Sequence, residues 1–375
     1  MKVLIAADIF PPDIGGPATY VVDLAHGLMA RGVDLKIVCL NPEADTTTVP
    51  CPVKATRGRK RWQRYFWYLI QLWQQAKEVD CLYAMGPVNA GGPAWLVARL
   101  RGRKLVVKIV GDYAWEQGQG RFKVTQSLDE FQNVKNGLSP YVRFLRWIQR
   151  QVSQRADLVI VPSGYLKKIV QGWGVKSENI QVIYNAARIT DQVPAASKPE
   201  NEKWVVTIGR FTPWKGINTL VEVVGVLAKD ISGLKLIAIG SGPEWEAVKT
   251  LVQEKNLGNY IQLTGALSHA QTLSYLASAD VFVLNSGYEG LSHVILEALA
   301  LQVPVLASAV GGNAEAVGDF GRLFPYDDRS AIKKLIQMTL VEEVEKSGDC
   351  KGHLRRFSLD TMLSRTQAAL QNICR

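Results

Sequence analysis

Two carboxylates, Glu289 and Glu297, flank the small residues of the segment 285–298 (NSGYEGLSHVILEA). The apolar run 280–284 before it reads as a strand, and an apolar helix is expected to begin near Leu291. On that geometry eight residues at ~1.5 Å each place the carboxylates up to roughly 12 Å apart along the axis. Between them the amides of Gly290, Leu291 and Ser292 make a ready anion site. Carboxylate, anion cradle and carboxylate suit a hexose, a diphosphate and a ribose in turn, because carboxylates accept from vicinal hydroxyls. An acidic residue at a helix start and an exposed helical Glu would explain each carboxylate singly, but not the combination.

A second loop, 209–216 (GRFTPWKG), follows the strand-like run 205–208 and precedes a helix from Ile217. Arg210 can grip a diphosphate with two donors, and Lys215 adds a point charge. Two solvated loop cations are the plainer alternative. A third loop, 10–17 (FPPDIGGP), puts Gly15 and Gly16 at the start of a helix over 18–30, where backbone amides can approach an anion. A tight turn closing at Pro17 reads equally well. Its spacing is not G-x-G-x-x-G, which argues against a dehydrogenase.

These loops must be positioned by strands, and short apolar runs recur along the chain. Runs at 3–7, 35–40, 81–85, 105–110, 158–161 and 182–184 form one series. Runs at 205–208, 236–239, 261–263, 281–284, 305–307 and 322–324 form another. Unbroken apolar runs separated by amphipathic stretches indicate parallel strands covered on both faces, hence two doubly wound α/β domains. The polar stretch 189–203 (ITDQVPAASKPENEK) is the expected linker between a first domain, 1–188, and a second, 204–357. A final helix over 358–375 is expected to pack back on the first domain. The stretch 117–140, rich in Gly, Gln and Asn, reads as a long irregular loop.

Hydrophobic residues make up 47% and charged residues 21% of the 375, which excludes a disordered chain. The net charge of +10 is uneven. Residues 1–190 hold 26 Lys+Arg and 14 Asp+Glu (+12), against 18 and 20 (−2) in the rest. The segment Lys54–Arg64 carries six cations and no acid, and apolar residues at helical spacing follow it. Cations beside Trp, Tyr and Phe suit an anionic membrane surface; Arg143, Arg146 and Arg150 form a second cationic stripe. Nucleic acid competes as the partner, but no nucleic-acid-binding module accompanies the cluster, so none is expected. Five scattered cysteines without C-x-x-C fit a reducing compartment, and no apolar run is long enough to span a membrane. A cytoplasmic protein at the inner face of the membrane is the expected setting.

The stretch 280–317 closely resembles the E-x7-E region of glycosyltransferase family 4, the group 1 glycosyltransferases. Gly15-Gly16, Gly209-Arg210…Lys215-Gly216, Gly240-Ser241-Gly242-Pro243 and Gly311-Gly312…Glu315 fall where that family places its motifs. The resemblance implies a GT-B fold, two Rossmann-like doubly wound domains facing across a cleft, with the acceptor on the first and the donor on the second. It implies a retaining hexosyltransferase using a nucleoside diphosphate sugar, with no metal or other cofactor. Absence of D-x-D and four dispersed histidines agree with that. The two cationic stretches add the expectation of a lipid-linked acceptor, or else a polysaccharide, in cell-envelope glycan synthesis.

Carried over, Glu289 would hold the donor sugar and Glu297 the ribose. Arg210 and Lys215 would neutralise the diphosphate; the amides of 290–292 and of Gly15–Gly16, with Gly240 and Gly242, would complete the donor site. Asn285 replaces the usual Pro, and Gln302 a usual Gly. Where many relatives carry a His, this chain has Val110-Gly111-Asp112-Tyr113-Ala114-Trp115-Glu116. Asp112 is the candidate there for orienting the donor sugar or handling the acceptor proton, with a helix-capping Asp as the alternative. Trp115 and Glu116 are candidate acceptor-side residues. A nucleotide-sugar epimerase, a phosphorylase and a non-catalytic binding module stay open as other classes.

Overall fold

The structure, a computed structural model, describes residues 1–13, 16–58, 60–187, 193–341 and 350–374. It divides into two compact units, Met1–Ala186 with Leu359–Arg375, and Ala187–Ser358. In the first, the chain runs β1 (Lys2–Ala7), α1 (Gly16–Ala30), β2 (Asp34–Cys39), β3 (Val53–Ala55), α2 (Arg61–Gln75), β4 (Cys81–Met85), α3 (Gly91–Arg101) and β5 (Lys104–Lys108). It continues through α4 (Tyr113–Arg121), α5 (Leu128–Asn133), α6 (Pro140–Arg155), β6 (Leu158–Val161), α7 (Gly164–Gly172) and β7 (Ile180–Val182). The second holds β8 (Lys203–Ile208), α8 (Ile217–Leu227), β9 (Leu234–Ile239), α9 (Trp245–Glu254), β10 (Ile261–Gly265), α10 (His269–Ala277) and β11 (Val281–Leu284). Then come α11 (His293–Ala300), β12 (Val305–Ser308), α12 (Asn313–Val317), β13 (Arg322–Phe324), α13 (Arg329–Val341) and α14 (Lys351–Leu354). A last helix, α15 (Leu359–Ile373), belongs to the first unit.

Both sheets are wholly parallel. The first has the order β3-β2-β1-β4-β5-β6-β7 and the second β10-β9-β8-β11-β12-β13. In each, successive strands add outward on one side and then restart on the other. The reversals lie between β1 and β4 and between β8 and β11, which is where open α/β sheets form a ligand crevice at the strands' carboxyl ends. The central strands are apolar because helices cover both faces; Val3 to Ala7 of β1 are 0% exposed.

α15 joins the core of the first unit. Met362, Leu363 and Leu370 are buried with Tyr20, Leu24 and Leu28 of α1, and Arg31 meets Asp360 at 2.6 Å. Two local expectations are corrected and one strand is added. Val53–Ala55, overlapping the start of the basic segment, is an edge strand pairing with β2. The stretch 117–140 is not an unbroken loop but carries the end of α4, all of α5 and the first residue of α6. Ser127 and Glu130 start α5 with a reciprocal capping box. Finally, α11 begins at His293, because Ser292 is extended and serves as its N-cap.

Candidate functional site

In the second unit the loops after β8 and β11 end beside one another at the strand reversal. Lys215 Nζ donates to Glu289 Oε1, with the side chains 17% and 15% exposed. Residues 74 positions apart thus form one charged pair. Arg210, on the same loop as Lys215, is exposed and has no hydrogen bond or ion pair with any described residue. Its donors are open to an anion. The amides of Gly290, Leu291 and Ser292 likewise donate to no acceptor among the described residues. They lie in the loop leading into α11 rather than in its first turn, so a helical rise does not set the Glu289–Glu297 separation.

The loop carrying Glu289 is held from below. Asn285, 0% exposed, donates to the Gly216 carbonyl (3.1 Å) and Asp327 Oδ1 (3.2 Å) and accepts from the Asp327 amide (3.0 Å). One amide side chain therefore ties together the loops after β8, β11 and β13, which a proline could not do. Ser308 Oγ accepts from the Ser286 amide at 3.0 Å and donates to the Ser286 carbonyl at 2.6 Å. Gly311, at φ +59°, lies so close that a Cβ there would sit 2.0 Å from the Glu289 carbonyl. The Gly312 amide bonds that same carbonyl at 2.9 Å.

A matching contact seats Arg210. Gly240 has φ +134°, and a Cβ on it would fall 1.9 Å from the Gly209 carbonyl. One on Gly242 would fall 2.4 Å from the Phe211 carbonyl. These two glycines let the loop after β9 press on the backbone around Arg210. Glu297, on α11, is 8% exposed and shares a 3.0 Å hydrogen bond with His269 Nε2. Burial raises its carboxyl pKa and the His269 contact opposes the rise. Among the described residues no three His, Cys, Asp or Glu side chains gather as a metal site.

In the first unit Gly16 opens α1 and is exposed, with no atom within 4 Å of the position a Cβ would take; Gly15 lies outside the described residues. Asp112 is 0% exposed and caps α4. Its Oδ1 accepts from the Trp115 amide (3.0 Å) and Gln149 Nε2 (2.8 Å), and its Oδ2 from Gln132 Nε2 (2.9 Å). Both oxygens are occupied by the protein itself. Trp115 is buried, with its indole N–H on the Gln126 carbonyl at 2.9 Å. Glu116 differs. It is half-buried, and its carboxylate has no hydrogen-bond or ion-pair partner among the described residues. Burial, with Asp112 adding to it, pushes its carboxyl up to about 7.

Sequence reasoning missed a polar cluster at the carboxyl ends of β1 and β4. Asn89 Nδ2 donates to Asp8 Oδ2 and to Tyr113 Oη, both at 3.1 Å, and Asn89 Oδ1 accepts from Tyr65 Oη at 2.8 Å. Burial raises the Asp8 carboxyl pKa, against the bond from Asn89. The available signal was position alone, since Asp8 is the first residue after β1.

Residues 189–352 match the family model Glycosyl transferases group 1, and residues 14–190 match Glycosyltransferase Family 4. The chain is 35% identical over 114 residues to a 2-deoxystreptamine N-acetyl-D-glucosaminyltransferase of Niallia circulans, covering 30% of this chain and 29% of that one. It is 26% identical over 195 residues to an N-acetylgalactosamine-N,N'-diacetylbacillosaminyl-diphospho-undecaprenol 4-alpha-N-acetylgalactosaminyltransferase of Campylobacter jejuni, covering 50% and 52%. The matches thus span about half or less of these relatives' lengths. Anabaena Alr3699/HepE, solved in complex with UDP, superposes over 99% of this chain and 100% of its own, with a TM-score of 0.77 and 20% identity. That likeness shows a GT-B fold. With the two family models together reaching from residue 14 to residue 352, the chain belongs to the group 1, family 4 glycosyltransferases.

Proposed function

We propose that this chain transfers a hexosyl group from a nucleoside diphosphate sugar to a hydroxyl acceptor, with retention at the anomeric carbon and without a metal. The charge layout at β8 and β11 carries this reading: a free guanidinium, an ammonium paired with a carboxylate, three open amides, and a second carboxylate on the following helix. Arg210 and Lys215 neutralise the diphosphate as it leaves, the largest electrostatic task of such a transfer. Open amides of 290–292 add donors to it. Glu289 accepts from sugar hydroxyls and Glu297 from the ribose, its orientation set by His269. Gly240, Gly242, Asn285 and Gly311 act by holding those loops in place.

On the acceptor side, Asp112 is a positioning residue. Reaching a ligand would cost it three hydrogen bonds made inside the protein. Glu116, one turn further along α4, is the group that handles the acceptor proton, because its carboxyl is free and titrates near neutrality. The acceptor is lipid-linked or a polysaccharide; the Campylobacter relative's name, with its diphospho-undecaprenol, supports a lipid carrier. The basic segment Lys54–Arg64, of which Arg59 lies outside the described residues, rests on the inner face of the cytoplasmic membrane. No helix among the described residues is long and apolar enough to cross one.

Thermal shift with UDP-, GDP- and ADP-sugars tests the donor reading. At least one should raise the melting temperature by binding the native state, and Glu297→Ala should abolish the rise. No shift with any of the three would overturn it.

A further inference from the structure

α2, α3 and α6 border an open groove of about 550 Å³, within the range of roughly 300–1,000 Å³ usual for ligand sites. Leu96 of α3 and Phe144 and Trp147 of α6 line it while remaining 41%, 53% and 58% exposed. The Phe144 and Trp147 rings stack at 6.3 Å. Large apolar side chains gathered this way on a surface mark a binding site.

Trp147 and Gln151 also line a second hollow, of about 740 Å³, whose other walls include Lys135, Arg143, Arg146 and Arg150. Along α6 the stripe Arg143–Trp147–Arg150 lies beside the stripe Phe144–Ile148–Gln151, so a single helix faces both spaces. None of the four cations has an ion-pair partner among the described residues. Arg146 is committed to the fold, with its terminal nitrogens on the carbonyls of Val134 and Gln132. Arg150 shares with Arg146 a buried Nε that has no acceptor, but unlike Arg146 neither the Arg150 nor the Arg143 guanidinium donates to any described group. Burial and the neighbouring Arg150 lower the Arg146 pKa, and the Asp112 carboxylate opposes the shift.

A hollow in which Arg143 and Arg150 have no ion pair calls for an anion, and an open apolar groove calls for hydrocarbon. The two share a wall. We propose that together they seat one amphiphile, with a long hydrocarbon chain in the groove between α2, α3 and α6 and a phosphate or diphosphate on Arg143 and Arg150. That ligand is the lipid carrier of the acceptor, an assignment that rests on the lipid-linked acceptor proposed above.

The test uses the full chain, with farnesyl diphosphate, farnesol and inorganic pyrophosphate as probes and tryptophan fluorescence as the readout. Farnesyl diphosphate should bind saturably and at least tenfold more tightly than either half-probe. Gly92 lies in the groove wall, and a Cβ on it meets only Ile148 Cγ2, at 3.9 Å. Gly92→Leu should therefore fill the groove without disturbing the fold, weakening farnesyl diphosphate at least tenfold and leaving pyrophosphate unchanged. Arg143→Gln combined with Arg150→Gln should bring farnesyl diphosphate down to the affinity of farnesol. Affinity no better than the stronger half-probe, or unaffected by Gly92→Leu, overturns the proposal. So does association only with phosphatidylglycerol vesicles, equal in the wild type and Gly92→Leu, which would make the surface a bilayer contact. Donor-sugar binding, followed by thermal shift in the same samples, separates the two readings. Lipid binding lost with donor binding kept defeats this inference alone, whereas loss of both defeats the transferase reading as well.

Discussion

Removing Glu289 should leave the enzyme able to hold its nucleotide while unable to use it. Lys215 is engaged by Glu289, so a diphosphate must compete with that carboxylate for the ammonium. Lys215→Ala removes a charge-assisted contact worth about 1.5–3 kcal/mol, or about 10- to 150-fold in nucleoside diphosphate affinity. Glu289→Ala does the reverse. It frees Lys215 and takes a negative charge away from the phosphates. Two charges at 4 Å and an effective dielectric constant of about 20 interact by ~4 kcal/mol at most. Most of that is offset by the desolvation both groups already bear at 17% and 15% exposure. A net gain of up to about 1 kcal/mol is expected, so the affinity is unchanged or rises about fivefold. Transfer should nevertheless fall by about 10²–10³, the usual effect of losing one group that acts on the transition state. Calorimetric titration of UDP, GDP and ADP into the wild type and both variants, with initial rates alongside, measures each quantity. If Glu289→Ala weakens the nucleoside diphosphate as much as Lys215→Ala does, the carboxylate serves to organise the lysine, and its assignment to the sugar is wrong.

Glu116→Gln should abolish the limb of the pH–rate profile in which activity rises through about pH 7; persistence of that limb excludes Glu116 as the base. Lys108 is 2% exposed, with its Nζ 3.2 Å from the Ile183 carbonyl and 4.8 Å above the Tyr20 ring. Burial holds its pKa down at about 7 rather than 10.5. Between those values the unfolded chain binds more protons, so stability should rise with pH across that window, by up to ~5 kcal/mol at 1.36 kcal/mol per pKa unit. The Tyr20 ring offsets about 2 kcal/mol of this. Urea melts of Lys108→Met should show a flatter pH dependence and greater stability at pH 7; parallel curves would refute the argument. Gly240→Ala drives a methyl into the Gly209 carbonyl and should cost about 2–4 kcal/mol together with nucleotide affinity. An unaltered melting temperature and unaltered titration would count against the role given to that contact.

Most of the strands were legible because strands buried on both faces are unbroken apolar runs, as in Cys81–Met85 and Val281–Leu284; their order in the sheets was not. β3 was not legible either, since a three-residue edge strand containing Lys54 has no such run. α4 and α5 were hidden by Gly118, Gly120 and their polar neighbours; tertiary anchors, buried Trp115 and Phe131, supply what local propensity lacks. In the donor loops residue types pointed to an anion and to hydroxyls, yet pairings across the fold were not readable. Neither Lys215 with Glu289 nor His269 with Glu297 leaves a trace in spacing. Asp112 shows the limit most clearly. From sequence alone a carboxylate after a strand could serve chemistry or cap a helix, and its three partners inside the protein were not readable.

The return of α15 to the first unit also bears on synthesis. Met362, Leu363 and Leu370 complete the core around α1, but they leave the ribosome after every residue of the second unit. The unit that begins the chain can therefore be finished only after the other has been made. Until then the apolar face of α1 lacks its cover, a state prone to aggregation. Expression of residues 1–186 alone would make that transient state permanent, whereas a circular permutant carrying α15 ahead of β1 would remove it.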